Sequence, residues 1–255
     1  LNVLEHECRG DPRHPPLLLL HALGSLLAMW DAQVAAFAAH FHVIRYSMRG
    51  HGASPMSGPA APSIESIAAD ACALLDALRI RRSHWCGLSL GGMVAMEVAS
   101  HAPERVDRLV LANTVAHFPP RETWSGRIAT VRAQGMAPLA DATMDRWFTP
   151  SYHERSPQEV ERIRRLFLAT DPSGYAAACA AIRDMDLRAD LASIAAPTLV
   201  IAGAADAAMP PARMAELQRA IPGAALVTLD ASHLSNVEAG SAFTAAVLAH
   251  LGVSW

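Results

Sequence analysis

Ser89 is fenced by glycine. In CGLSLGGMVAMEV, residues 86–98, it stands between Gly87 and Gly91 with an apolar run on either side. A serine in such a run ordinarily caps a helix or gives its hydroxyl to a buried carbonyl. The string Gly87-Leu88-Ser89-Leu90-Gly91 instead fits G-x-S-x-G. In that motif the chain turns so sharply from strand to helix that the serine is strained and its hydroxyl exposed. A side chain at either flanking position would collide with neighbouring backbone, hence glycine. Gly92 adds room where the helix meets the sheet. The helix that starts behind Ser89 favours developing negative charge. The chemistry of such a serine is nucleophilic attack on an acyl carbon.

A serine hydroxyl needs a base, and the base needs an orienting carboxylate. With this motif the chain order is serine, acid, histidine. Downstream of Ser89, the loop histidine is His233 in LDASHLSNVE, just after the last apolar strand pattern. His101, His117, His153 and His250 fall on helices, in an insertion or near the C-terminus. The acid belongs after the preceding strand, where LVIAGAADAAMPP offers Asp206. Asp230 is the rival, but it shares a segment with His233 and is less able to brace the imidazole from behind. A tetrahedral intermediate also needs backbone donors for its oxyanion. One is expected at Leu90, the residue after the nucleophile, and the other at Leu23 in the loop HALG. His21 and His51 read as structural, with His21 fixing its loop through a backbone hydrogen bond.

The elements that must hold these residues alternate. PPLLLLHALG, FHVIRYS, SHWCG and RLVLANT are short apolar runs bounded by turn signals, as buried strands are. Between them, IESIAADACALLDAL places Ile64, Ile67, Ala71, Leu74, Leu75 and Leu78 at helical spacing, with Ser63 as N-cap. From Ala116 to Asp186 the pattern is helix after helix, punctuated by proline and glycine. Alternation then resumes through APTLVIAG, PARMAELQRAI, AALVTLD and a last helix over Ala239–Leu251. The expected fold is α/β: a mostly parallel twisted sheet flanked by helices, with a helical cap inserted before the last two strands. Residues 1–115 and 187–255 form the core and 116–186 the cap.

Composition narrows the function classes. The chain has 255 residues, 52% hydrophobic and 18% charged, enough to bury a sizeable core. A formal charge of −3 gives no electrostatic reason to expect nucleic acid or an anionic membrane. No apolar run has the length of a membrane span, and the acidic N-terminal stretch lacks the apolar region of a signal peptide. The four cysteines, Cys8, Cys72, Cys86 and Cys179, are scattered and read as reduced thiols of a cytoplasmic protein. The twelve histidines form no H-x-x-x-H pair and no Cys/His cluster, so neither a metal nor a cofactor is expected. The acyl chemistry points to a small-molecule ester as partner, and self-association into a homo-oligomer stays open.

SMRGHGAS, CGLSLGG, AGAAD and ASHLSNVE together resemble the α/β-hydrolase superfamily. Within it, TWSGRIATVRAQGM, RWFTP, GYAAACAAIRDMD and HLSNVE are similar to the 3-oxoadipate enol-lactonases, along nearly the whole chain. The resemblance implies the α/β-hydrolase fold and hydrolysis of 3-oxoadipate enol-lactone to 3-oxoadipate, in the β-ketoadipate branch of aromatic catabolism. Such a substrate carries a free carboxylate, which implies a cationic or hydrogen-bonding group in the cap. Arg127 with Trp124 (i, i+3) and Trp147 as an apolar wall fit that role, or else serve only to pack the cap. Three positions depart from the family pattern: Ser47 where aspartate is usual, Met209 where threonine is common, and HALG ahead of the glycine. Other readings keep the same core: a general carboxylesterase or other lactonase, a cofactor-free haloperoxidase or perhydrolase, and a non-catalytic ligand receptor.

Overall fold

Four leucines in a row leave no face for water, and Leu17–Leu20 lie fully buried in the sheet interior. The computed structural model describes residues 4–56 and 62–253. Its strands are β1 (His6–Arg9), β2 (Pro16–Leu20), β3 (His42–Tyr46), β4 (Ser83–Leu88), β5 (Val106–Ala112), β6 (Thr198–Gly203) and β7 (Ala225–Leu229). They form one seven-stranded sheet in the order β1-β3-β2-β4-β5-β6-β7. Every neighbouring pair runs parallel except β1 and β3. In β4 and β6 every residue is buried, the pattern of strands covered on both faces.

The helices are α1 (Asp31–Ala38), α2 (Ile64–Ala77), α3 (Leu90–His101), α4 (Arg121–Gln134), α5 (Ala137–Trp147), α6 (Pro150–Arg155), α7 (Pro157–Leu168), α8 (Pro172–Asp184), α9 (Pro211–Ala220), α10 (Ser235–Glu238) and α11 (Gly240–His250). In α2 the apolar stripe Ile64, Ile67, Ala71, Leu74 and Leu75 is buried, while Leu78 falls just past its end. Ser63 caps it, exchanging hydrogen bonds with Ser66 in a capping box. One strand departs from the sequence-based expectation. β1 precedes the leucine run, so the strand leading to Ser89 is the fourth, not the third. β1 is an edge strand, HECR, of three half-buried residues and one exposed, paired only with β3, so it has no apolar run to mark it.

Helices α4 to α8 lie in sequence between β5 and β6. The two ends of this stretch are joined at its base. Leu187 N–H donates to the Ala116 carbonyl at 2.8 Å, and His117 bridges antiparallel to Asp186. α4 packs along α8, which buries Ala176, Ala177, Ala178 and Ala181 and so permits a close approach. Asp171 caps α8, accepting from the N–H groups of Ser173 (2.8 Å) and Gly174 (3.0 Å). Gly174 then meets Gly50 so closely that a Cβ there would overlap the Gly50 carbonyl. Among the described residues no helix is long and apolar enough to cross a membrane.

Candidate active site

Ser89 sits between the last residue of β4 and the first of α3, with φ 57° and ψ −116°. Few non-glycine residues adopt that region, and holding one there costs about 1–3 kcal/mol. The turn is held by its backbone. Ser89 N–H donates to the Ala112 carbonyl at 2.9 Å, and the Ser89 carbonyl accepts from Thr114 Oγ1 at 2.7 Å and Met93 N–H at 3.1 Å. The glycine fence follows from the same packing. A Cβ on Gly87 would overlap the Gly91 carbonyl, and one on Gly91 the Leu20 carbonyl.

His233 Nδ1 lies 2.8 Å from Asp206 Oδ2, with both side chains buried. Asp206 follows β6 and His233 follows β7, so parallel neighbours bring the carboxylate and the imidazole side by side. The same Oδ2 accepts from Asn113 Nδ2 at 2.9 Å, while Oδ1 accepts the N–H groups of Ala208 (2.9 Å) and Met209 (3.0 Å). Burial alone would raise the Asp206 carboxyl. The positive charge and hydrogen bond of His233, with the Met209 N–H and the Asn113 amide, outweigh it and hold the group below its usual range. The rival Asp230 is exposed and makes no hydrogen bond to His233 among the described residues.

The loop after β2 is held by two buried histidines. His21 Nδ1 meets the Ala22 carbonyl at 2.8 Å, and its Nε2 accepts Met48 N–H at 2.9 Å. His51 Nε2 accepts Gly24 N–H at 3.2 Å. Burial, joined at His21 by the neighbouring His51, pushes the two imidazoles down to about 3 and about 4, so both stay neutral and can accept. Among the described residues neither Leu23 N–H nor Leu90 N–H has a hydrogen-bond partner. Met209 needs no threonine hydroxyl to serve Asp206, because its own N–H does so. Ser47 Oγ accepts Leu27 N–H at 3.3 Å, and the carboxylate that meets the turn at Ala53 comes from Glu5, at 3.0 Å.

Ser89, His233 and Leu23 open into one cavity of about 410 Å³, a volume ordinary for small-molecule sites. Helices α4, α5 and α8 supply much of its lining. Trp124, Arg127 and Trp147 all line it. Arg127 lies over the Trp124 ring, 5.4 Å from its centroid, and Nη1 donates to Tyr175 Oη at 3.0 Å. Trp147 stands edge-on to Phe167, and its carbonyl takes the Leu234 N–H at 3.1 Å, tying α5 to the histidine loop. Two further arginines reach the cavity. Arg146 donates to Thr143 Oγ1 at 3.0 Å, and Arg213 donates to the His117 carbonyl at 3.1 Å. All three guanidiniums have neutral partners, with no carboxylate in ion-pair range among the described residues. Burial and then the charge of Arg127 lower the Arg146 guanidinium to about 10, which still leaves it cationic at neutral pH.

A family model for the alpha/beta hydrolase fold matches residues 15–239. The chain belongs to this family. This alpha/beta hydrolase is 40% identical to 3-oxoadipate enol-lactonase 2 of Acinetobacter baylyi, over 96% of its own length and 91% of the relative's. Its structure matches that of the enol-lactonase from Burkholderia xenovorans with a TM-score of 0.95 and 42% identity, covering 98% of this chain and 96% of the other. A thermophilic esterase from Thermogutta terrifontis, solved with malate bound, matches with a TM-score of 0.93 and 30% identity, over 98% and 93% of the two chains.

Several cavity residues of this alpha/beta hydrolase carry no signal in its sequence. Arg146 is adjacent to Trp147, yet nothing in the spacing separates it from the solvated arginines of ERIRRLF. Arg162 of that stretch pairs with Glu159 on the helix surface. Tyr175 and Arg213 come from elements that meet only in three dimensions.

Proposed function

We propose that this hydrolase opens 3-oxoadipate enol-lactone to 3-oxoadipate, with Ser89 as nucleophile, His233 as base and Asp206 as the acid behind it. The observation that carries the reading is one cavity lined both by Ser89 and His233 and by guanidiniums with no acidic partner. Cations in a half-enclosed pocket favour a ligand that brings a carboxylate. The enol-lactonase relatives support the same substrate, and an esterase of the same fold, solved with malate bound, is in keeping with an acidic ligand.

His233 takes the Ser89 proton as Oγ attacks the lactone carbonyl carbon. The N–H groups of Leu23 and Leu90 hold the oxyanion. The ring C–O bond breaks, the enol oxygen leaves with the proton returned from His233, and the enol tautomerises to the ketone. Water activated by His233 then attacks the acyl-Ser89 carbonyl, and the carboxylate is released. An enolate is a good leaving group, so recognition in the cap, residues 116–186, sets specificity more than chemistry does. The reaction needs neither metal nor cofactor, takes a small lactone as its partner, and belongs to cytoplasmic aromatic catabolism. The deciding assay follows loss of the enol chromophore with enol-lactone generated in situ from muconolactone. Turnover of neutral esters without turnover of the lactone would replace this reading with a carboxylesterase, which the esterase relative favours.

Arg127→Met and Arg146→Met are each expected to lower kcat/KM for the acidic enol-lactone by about ten- to a hundredfold. A neutral ester such as p-nitrophenyl acetate should change by less than about threefold, because it has no charge to pair. Steady-state kinetics on both substrates separates the roles. Equal losses on both would mean that the arginines only hold the cap together.

A further inference from the structure

The end of β5 runs into a buried pair, Asn113-Thr114, that the acyl chemistry leaves unused. Asn113 is held at φ +46°, with its N–H donating to the Ile201 carbonyl at 2.9 Å. Its amide joins three elements. Nδ2 donates to Asp206 Oδ2 at 2.9 Å and lies 3.4 Å from the Ser232 carbonyl, and Oδ1 accepts the Ser235 hydroxyl at 2.6 Å. A carboxylate and a carbonyl on one side are both acceptors, so the NH₂ must face them. The Ser235 hydroxyl then supplies the donor that the amide oxygen needs.

We propose that Asn113 is a positioning residue that sets how strongly Asp206 holds His233, and that Ser235 fixes the orientation of its amide. The inference rests on reading His233 as the base. Asp206 Oδ2 is shared between His233 Nδ1 at 2.8 Å and Asn113 Nδ2 at 2.9 Å. A second donor on that oxygen draws charge away from the imidazolium and weakens its stabilisation. Asn113 thereby moderates the charge that Asp206 presents to the imidazole. It also ties the acid loop to the histidine loop, since Ser232 and Ser235 flank His233.

The other charged groups around the imidazole are Asp206, Glu238 on α10, and the cavity cations Arg127, Arg146 and Arg213 on α4, α5 and α9. Glu238 acts through the Ser232 N–H, which it accepts at 2.9 Å. Asn113→Leu and Ser235→Ala alter none of these charges, so a change in His233 titration reads the amide alone. The sign comes from the shared oxygen. Losing the Asn113 donor strengthens the pull of Asp206 on the imidazolium, raises the His233 pKa, and moves the acid limb of activity to higher pH.

The test titrates the His233 ring by NMR, its resonance assigned by loss in His233→Gln, and measures kcat/KM for an activated neutral ester over the same pH range. Asn113→Leu should raise both midpoints by about half to one pH unit. Ser235→Ala should move them in the same direction by less, and it carries the test alone if the leucine variant does not fold. A ring titration that moves while the rate profile does not would uphold Asn113 and overturn His233 as the base. Unmoved titrations in both variants, even with slower turnover at every pH, would overturn the proposal and leave Asn113 a packing amide.

Discussion

Ser89→Ala is expected to fold as the parent does and to lose about five to six orders of magnitude in kcat, the scale seen when a serine nucleophile is removed. Folding should survive because the turn is held by main-chain groups. Ser89 N–H to Ala112, and Thr114 and Met93 to the Ser89 carbonyl, are all present in the alanine chain. The strained φ of 57° is no worse for alanine than for serine, and the fence of Gly87 and Gly91 is untouched. Only Oγ is lost, and with it the atom proposed to form the acyl bond. Thermal melting and steady-state kinetics on the enol-lactone check the two halves separately. A serine-directed phosphonate should add its mass to the peptide containing Ser89 in the parent chain and to no peptide in the variant. More than about a tenth of the parent rate would place the nucleophile elsewhere.

Ser89, Asp206 and His233, the residues proposed for catalysis, stood out in the sequence because each follows a strand pattern, and the structure places each just past a strand end. β2 and β6 are buried along nearly their whole length and are written as near-continuous apolar runs, while β4, buried throughout, opens on Ser83 and His84 before its apolar part. In an alternating chain, the loop after such a run is confined to the carboxyl edge of the sheet. β1 was not legible for the opposite reason. An edge strand needs only one partner, and HECR has the polarity of a loop.

The surroundings of Ser89, Asp206 and His233 were harder to read because they depend on contacts across the chain. Asn113 and Asp206 are 93 residues apart, and Asn113 and Ser235 are 122 apart. In the sequence, ANT is simply the end of a strand. Arg146 and Arg213 look like any helical arginines until α5 and α9 are seen to border one cavity. His21 and His51 could be read as structural, but their neutral state could not. It comes from complete burial, which only the folded chain supplies.

Asp206→Asn should lower kcat/KM by about ten-thousandfold, while Asp230→Asn should change it by less than about threefold. Asp206 accepts four hydrogen bonds and donates none: His233 and Asn113 on one oxygen, the Ala208 and Met209 N–H groups on the other. An asparagine offers one oxygen and one NH₂, so it can satisfy only one side. If its oxygen stays with the two backbone N–H groups, its NH₂ faces His233 and the Asn113 amide. His233 Nδ1 must then accept, the ring proton moves to Nε2, and the nitrogen that should take the Ser89 proton already carries one. If the amide turns over, two buried backbone donors lose their acceptor, at about 1–3 kcal/mol each, and the negative charge that stabilises the imidazolium is still gone. Asp230 has neither burial nor contact with the imidazole, so its amide changes little. The comparison needs only kcat/KM for both variants on one lactone at one pH, with melting curves to show that both fold. A large loss in Asp230→Asn with a small one in Asp206→Asn would reassign the acid.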